Sequence, residues 1–254
     1  MAGSVTARSD DLWLAIRREA EAAVVADPFL EASAAFILDQ GDFGGALAFL
    51  IGRRISHAEA DRAQFTRTAR EAFAAEPALV DAAAVDLTAI VRRDPAITGL
   101  LAPLLNFKGY VALQAWRVSN RLWRNDRPDL ALLMQSAAAD QLQISIHPSA
   151  QIGTAVFLDH GTGIIIGALA SVGDEVTILQ NVTIARRQDD PRHAPRIGHG
   201  VLLSAGATVI GKLSIGDFAK VGAGALVTSD VPAGCTVVGV PARLTNCAEA
   251  GARP

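Results

Sequence analysis

The sequence predicts an α+β protein in two parts: an all-helical N-terminal domain over residues 1–142, then a parallel β-helix built of hexapeptide repeats over 143–243. Three observations carry this. Ala, Leu, Arg and Glu dominate up to about residue 140, with apolar positions at three- and four-residue spacing. After about Gln143 the period becomes six, and Gly, Ala or Asp follows the aliphatic residue that opens each unit. Residues 244–254 read as a short C-terminal tail.

In the helical part, Leu12, Ile16 and Ala20 give the spacing of one helix face. Proline then punctuates the chain: Asp27-Pro28, Glu76-Pro77, Asp94-Pro95 and Ala102-Pro103 are expected helix boundaries, because the residue before proline is pushed out of helical dihedrals. The segment from Phe107 to Arg127 sets Val111, Ala115, Val118 and Leu122 on one stripe and predicts the long amphipathic helix leading into the second part.

Hexads suit a triangular solenoid, in which each side is a very short strand, the aliphatic side chain points inward and small residues occupy the corners. Thirteen positions fit: Ile146, Ile152 and Leu158, then after a two-residue shift Ile166, Val172, Ile178 and Ile184, then Ile197, Leu203, Val209, Ile215, Val221 and Val227. A β-sandwich would require period two and hairpin turns such as Asn-Gly, and neither occurs. Between Ile184 and Ile197 the stretch ARRQDDPRHAPR is polar apart from Ala and Pro. It must leave the core as a loop, and long loops on a rigid solenoid commonly carry function.

With 254 residues, half of them hydrophobic, the chain buries a sizeable core. A net charge of -3 without long runs of one sign points to small-molecule partners, with no nucleic acid and no membrane expected. Cys235 and Cys247 lack any metal-ligand spacing, so no disulfide framework and no zinc are expected, and a reduced cytoplasm fits. The N-terminus turns acidic before an apolar signal segment develops.

Of the five histidines, His57, His147, His160, His193 and His199, the first candidate for a general base is His160 in LDHGTG. Asp159 precedes it, and Gly161 and Gly163 allow close approach of a ligand. An imidazole with a pKa near neutrality suits removal of an alcohol proton as that oxygen attacks a thioester.

The strings DPAITGLLAPLLNFKGYVALQAWR, SIHPSAQIG, LDHGTGIIIG, PRHAPRIG, AGATVIG, AKVGAGALV and VGVPARL, in this order, resemble the bacterial serine O-acetyltransferases over about residues 10 to 244. The resemblance implies a left-handed parallel β-helix and transfer of an acetyl group from acetyl-CoA to the hydroxyl of L-serine, the first step of cysteine biosynthesis, without a metal. It implies His160 as base, with His193 as a second catalytic histidine. Asp94 and Asp159 would take the serine ammonium, and Arg192 and His193 the carboxylate. Asp94 also reads as a cap before Pro95, an equal alternative on local sequence. Ala205, Gly206, Ala223 and Gly224 match the small-residue turns along which CoA lies, and Lys220 is placed to meet one of its phosphates. The implied assembly is a trimer, two of which join through the helical domains as a hexamer.

Three departures from that family stand out. Ser145 occupies the place of an Asp that partners the catalytic histidine. Thr183-Ile184-Ala185-Arg186-Arg187-Gln188-Asp189 replaces a glycine-rich donor loop, so that Arg186 or Arg187 would recognise a carboxylate on another acyl donor or acceptor, or else form a solvated corner balanced by Asp189 and Asp190. The sequence ends NCAEAGARP instead of a longer tail with terminal isoleucine, which puts a complex with cysteine synthase in doubt. The rival readings are an O-acyltransferase with another donor or hydroxy amino acid, a metal-dependent hydrolase or carbonic anhydrase of the same fold, and a scaffold without turnover.

Overall fold

A computed structural model describes residues 3–247; the last seven positions of the expected tail lie outside the described residues. The first part comprises helices α1 (Gly3–Ala26), α2 (Glu31–Leu38), α3 (Phe43–Ile55), α4 (Glu59–Ala75), α5 (Ala78–Arg93), α6 (Leu101–Asn106), α7 (Lys108–Arg124) and α8 (Pro128–Leu142), with a 3-10 turn at Pro28–Leu30. Three of the four proline boundaries hold: α1 ends before Asp27-Pro28, α4 before Glu76-Pro77 and α5 before Asp94-Pro95. Ala102-Pro103 is a correction, since Pro103 lies within the first turn of α6, where a missing N–H leaves no helical bond unmade. The long helix ends at Arg124, and the predicted stripe of Val111, Ala115, Val118 and Leu122 is buried along it.

The chain then winds as a left-handed parallel β-helix with three faces. The first face stacks β1 (Ser145–Ile146), β4 (Ile165–Ile166), β7 (Thr183–Ala185), β10 (Thr208–Ile210) and β13 (Leu226–Val227). The second holds β2 (Gln151–Ile152), β5 (Ser171–Val172), β8 (Arg196–Ile197) and β11 (Ser214–Ile215). The third holds β3 (Phe157–Leu158), β6 (Thr177–Ile178), β9 (Leu202–Leu203), β12 (Lys220–Val221), β14 (Cys235–Val238) and β15 (Arg243–Cys247).

The register turns the hexad pattern into three aliphatic ladders. Ile146, Ile166, Ile184, Val209 and Val227 pair in succession on the first face. Ile152, Val172, Ile197 and Ile215 do so on the second, and Leu158, Ile178, Leu203 and Val221 on the third. All thirteen expected positions are therefore rungs, and all but the partly covered Ile152 are buried.

Helix α7 closes the open end of the first coil, where unpaired backbone would otherwise face solvent. Trp116 Nε1 donates to the His147 carbonyl at 3.2 Å, Asn120 Nδ2 to those of Pro148 at 2.8 Å and Ala150 at 3.1 Å, and Arg117 to that of Gly153 at 2.8 Å. Phe107 stacks on Phe157 with ring centroids 6.4 Å apart. Between the two parts lies a buried ion pair: Asp86 of α5 is fully enclosed and accepts from Arg117 Nη2 at 2.7 Å, Gln114 Nε2 at 3.1 Å and the Val156 N–H at 3.2 Å.

At the far end β15 returns antiparallel to β14 and sets Cys247 opposite Cys235, where the two form a disulfide. This corrects the expectation of unpaired cysteines. A twelve-residue spacing carries no sign of the pairing because the hexad period, which runs only in parallel, does not foresee a return strand.

Candidate active site

The corner that joins the third face to the first is a column of stacked turns. The Asn181 N–H donates to the Thr162 carbonyl at 2.8 Å, the Gly206 N–H to that of Gln180 at 2.9 Å, and the Gly224 N–H to that of Ala205 at 2.9 Å. One residue per turn must take a positive φ to round so tight a corner: Asn181 (60°), Gly206 (71°) and Gly224 (65°). His160 (φ 56°), Gly161 and Thr162 form the head of the same column, just after β3. The expected base and the Ala205-Gly206 and Ala223-Gly224 turns thus share one edge.

That edge is open. A side-chain carbon placed on Gly224 would meet nothing within 4 Å, and one on Gly206 would meet only the Gly224 backbone at 3.9 Å. Four coils at the usual strand spacing make the column about 14 Å long, enough for an extended thioester arm to lie along it. Lys220, on β12, is exposed on the third face beside this edge.

The His160 side chain is 74% exposed, with Nε2 3.7 Å from Oδ1 of the half-buried Asp159. Its loop is pinned from below by the start of α7. Lys108 Nζ contacts the Thr162 hydroxyl, and Gly109 lies so close to the Leu158 carbonyl that any side chain there would collide with it. Neither residue was foreseen as part of the site; the need for glycine at 109 arises from a contact 49 positions away in sequence. Ser145, on β1, receives a hydrogen bond from Gln135 Nε2 of α8 at 3.1 Å.

Asp94 follows α5, whose last residues Arg92 and Arg93 both pair with Glu175 on the solenoid. Its backbone N–H bonds the Ile90 carbonyl at the end of α5, and its Oδ1 accepts the Ala96 N–H at 2.9 Å in the turn that follows, where no helix begins until α6.

The projecting loop leaves from a different corner, between the first and second faces, and returns at β8. There His193 Nδ1 lies 2.7 Å from Asp190 Oδ1, and Arg192 is exposed. Arg187 forms a two-bond pair with Asp189 at 2.8 and 2.6 Å, which holds its guanidinium pKa above the ordinary arginine value. Arg186 donates to the Pro191 carbonyl at 2.9 Å. Both arginines are thus engaged within the loop.

One further histidine lies at this corner. His147 Nδ1 accepts the Ser149 N–H at 3.0 Å and approaches the Ser149 hydroxyl at 2.8 Å, and its ring meets Trp123 edge-on at 5.3 Å. Burial, and then the nearby Arg186 charge, push its pKa below the ordinary histidine value. The surroundings that keep it neutral come from α7 and from a loop two coils away, and no local motif announces them.

Known proteins are similar to this chain over both of its parts. The family described as "Serine acetyltransferase, N-terminal" matches residues 12–115. The serine acetyltransferase of Salmonella typhimurium is 37% identical over 238 residues, 92% of this chain and 87% of that protein. Soybean serine acetyltransferase complexed with serine superposes with a TM-score of 0.90 at 38% identity, covering 94% of this chain and 99% of the other. A serine acetyltransferase in complex with CoA gives 0.90 at 34% identity, with 93% and 100% covered. Extending through both the helical part and the solenoid, this likeness places the chain in the serine acetyltransferase family.

Proposed function

We propose that this enzyme transfers the acetyl group of acetyl-CoA to the hydroxyl of L-serine, giving O-acetylserine and CoA. The observation that carries the reading is His160 at the head of an open column of small-residue turns, in a chain whose relatives include enzymes solved with serine and with CoA. The donor's arm lies along the column with its thioester toward His160. The imidazole takes the proton of the serine hydroxyl as that oxygen attacks the thioester carbon. The carbon–sulfur bond then breaks, and the imidazolium returns its proton to the leaving thiolate. Asp159 lies beside His160 to stabilise the imidazolium and to meet the substrate ammonium, with Asp94 as its partner in that task.

Arg192 and His193 lie on another corner of the same chain, so we assign them to the carboxylate of serine bound at a neighbouring copy's His160. This is the trimer expected from the sequence. A carboxylated donor read by Arg186 or Arg187 is less well supported, because Arg187 would have to give up Asp189.

The test is thiol release from acetyl-CoA with and without L-serine. We expect serine-dependent release, its loss by at least about a hundredfold in His160→Ala, and retained serine binding by that variant. Full activity of His160→Ala would remove the base assignment, and silence with acetyl-CoA but turnover of malonyl- or succinyl-CoA would move the donor.

A further inference from the structure

A cavity of about 450 Å³ opens between the projecting loop and the outward side of the second face. Arg192 and His193 reach it from the loop, Arg196 from β8, and Lys212 from the turn after β10. Its one acidic lining residue is Asp230, whose Oδ1 is engaged by the Ser214 N–H at 2.7 Å. Among the described residues, no ion pair joins Arg192, Arg196 or Lys212 to a carboxylate, although Arg187 and His193 on the same loop each have one.

Three permanent cations around one cavity repel one another, and one carboxylate leaves two positive charges unmatched. A serine carboxylate carries a single charge and calls on Arg192 and His193 alone, so it does not account for Arg196 and Lys212. A guanidinium fork on one strand and an ammonium on a turn, converging on one cavity, suit an oxyanion that accepts from several directions. We propose that this cavity binds a phosphate dianion, held by Arg196 and Lys212. The phosphate is either free or carried by the acyl donor, and the second case rests on the acetyl-CoA reading above.

The test compares the wild type with an Arg196→Gln/Lys212→Gln double variant, both side chains being exposed. Inorganic phosphate, titrated against chloride at constant ionic strength, should raise the thermal midpoint of the wild type and not that of the variant. This arm needs no catalysis, so it stands or falls separately from the acetyl-transfer reading. In the second arm, KM is compared for acetyl-CoA and acetyl-dephospho-CoA. If the phosphate is the donor's, the wild type should prefer acetyl-CoA by about tenfold or more, with the preference lost in the variant while kcat is kept. Loss of phosphate protection alone assigns the site to free phosphate, and loss of donor preference assigns it to the donor. A variant that responds to phosphate and discriminates between donors as the wild type does would overturn the proposal.

Discussion

His160 and His147 show how environment separates two histidines in one solenoid. His160 stands out into solvent beside the Asp159 carboxylate. His147 is held by Ser149 and Trp123, with Nδ1 accepting the Ser149 N–H, so the neutral ring carries its proton on Nε2. Because burial and Arg186 lower its pKa in the folded state, folding resists its protonation. The contribution to stability is complete above the unfolded histidine value of about 6.5 and is lost as pH falls through the lower folded value. Denaturant unfolding at pH 7.5 and 5.5 should therefore show an acid-side loss in the wild type that shrinks in His147→Asn, which keeps an acceptor for the Ser149 N–H. An unchanged loss would place the acid sensitivity elsewhere. Of the residues expected in the site, His160 and Asp159 drew attention because Gly161 and Gly163 follow them in a polar corner. The closure of Arg187 onto Asp189 was one of two alternatives, since a run of mixed charges does not by itself say which of its members meet.

Among the elements, α7 joins the two parts, and the Asp86–Arg117 pair is the costly portion of that contact. Two enclosed charges are tolerable only while each satisfies the other, so removing one partner strands the second. Asp86→Ala should lower unfolding stability by about 3–5 kcal/mol, read from the denaturant midpoint at constant m. Replacing both Asp86 and Arg117 with apolar residues of similar volume should recover much of that loss. At the other end of the helix, Gly109→Ala drives a methyl group into the Leu158 carbonyl, which shifts α7 or the His160 corner. We expect a fall in kcat larger than the change in KM for serine; equal kinetics to wild type would show that the corner does not depend on this contact. The solenoid was legible because inward positions repeat every six residues whatever surrounds them. Strand β15 and its disulfide were not, because an exposed antiparallel return carries no hexad signal, and Pro103 misled because the first turn of a helix accommodates proline.

For the whole molecule, the decisive feature is that one chain keeps His160 and His193 on different corners, separated by the first face. That face exposes Ile165, and Leu169 stands out at the corner beyond it; each is about half exposed in the single chain (46% and 49%) and ready to be covered. If copies pack through this face with cyclic symmetry, each site takes His160 from one chain and His193 from the next. His160→Ala and His193→Ala homotrimers would then both be impaired at every site. Mixed trimers would contain some junctions where a His193→Ala chain supplies its intact His160 and a His160→Ala chain its intact His193. Every mixed trimer, two-to-one or one-to-two, has one such junction among its three, so roughly a third of wild-type activity should return in assemblies that contain both variants. Co-expressing the two variants under distinct tags, isolating the doubly tagged assemblies and assaying thiol release tests this directly. Recovery well above either parent fixes the site between chains, whereas mixed assemblies no more active than the parents would require both histidines to meet within one chain and the loop to fold across the first face.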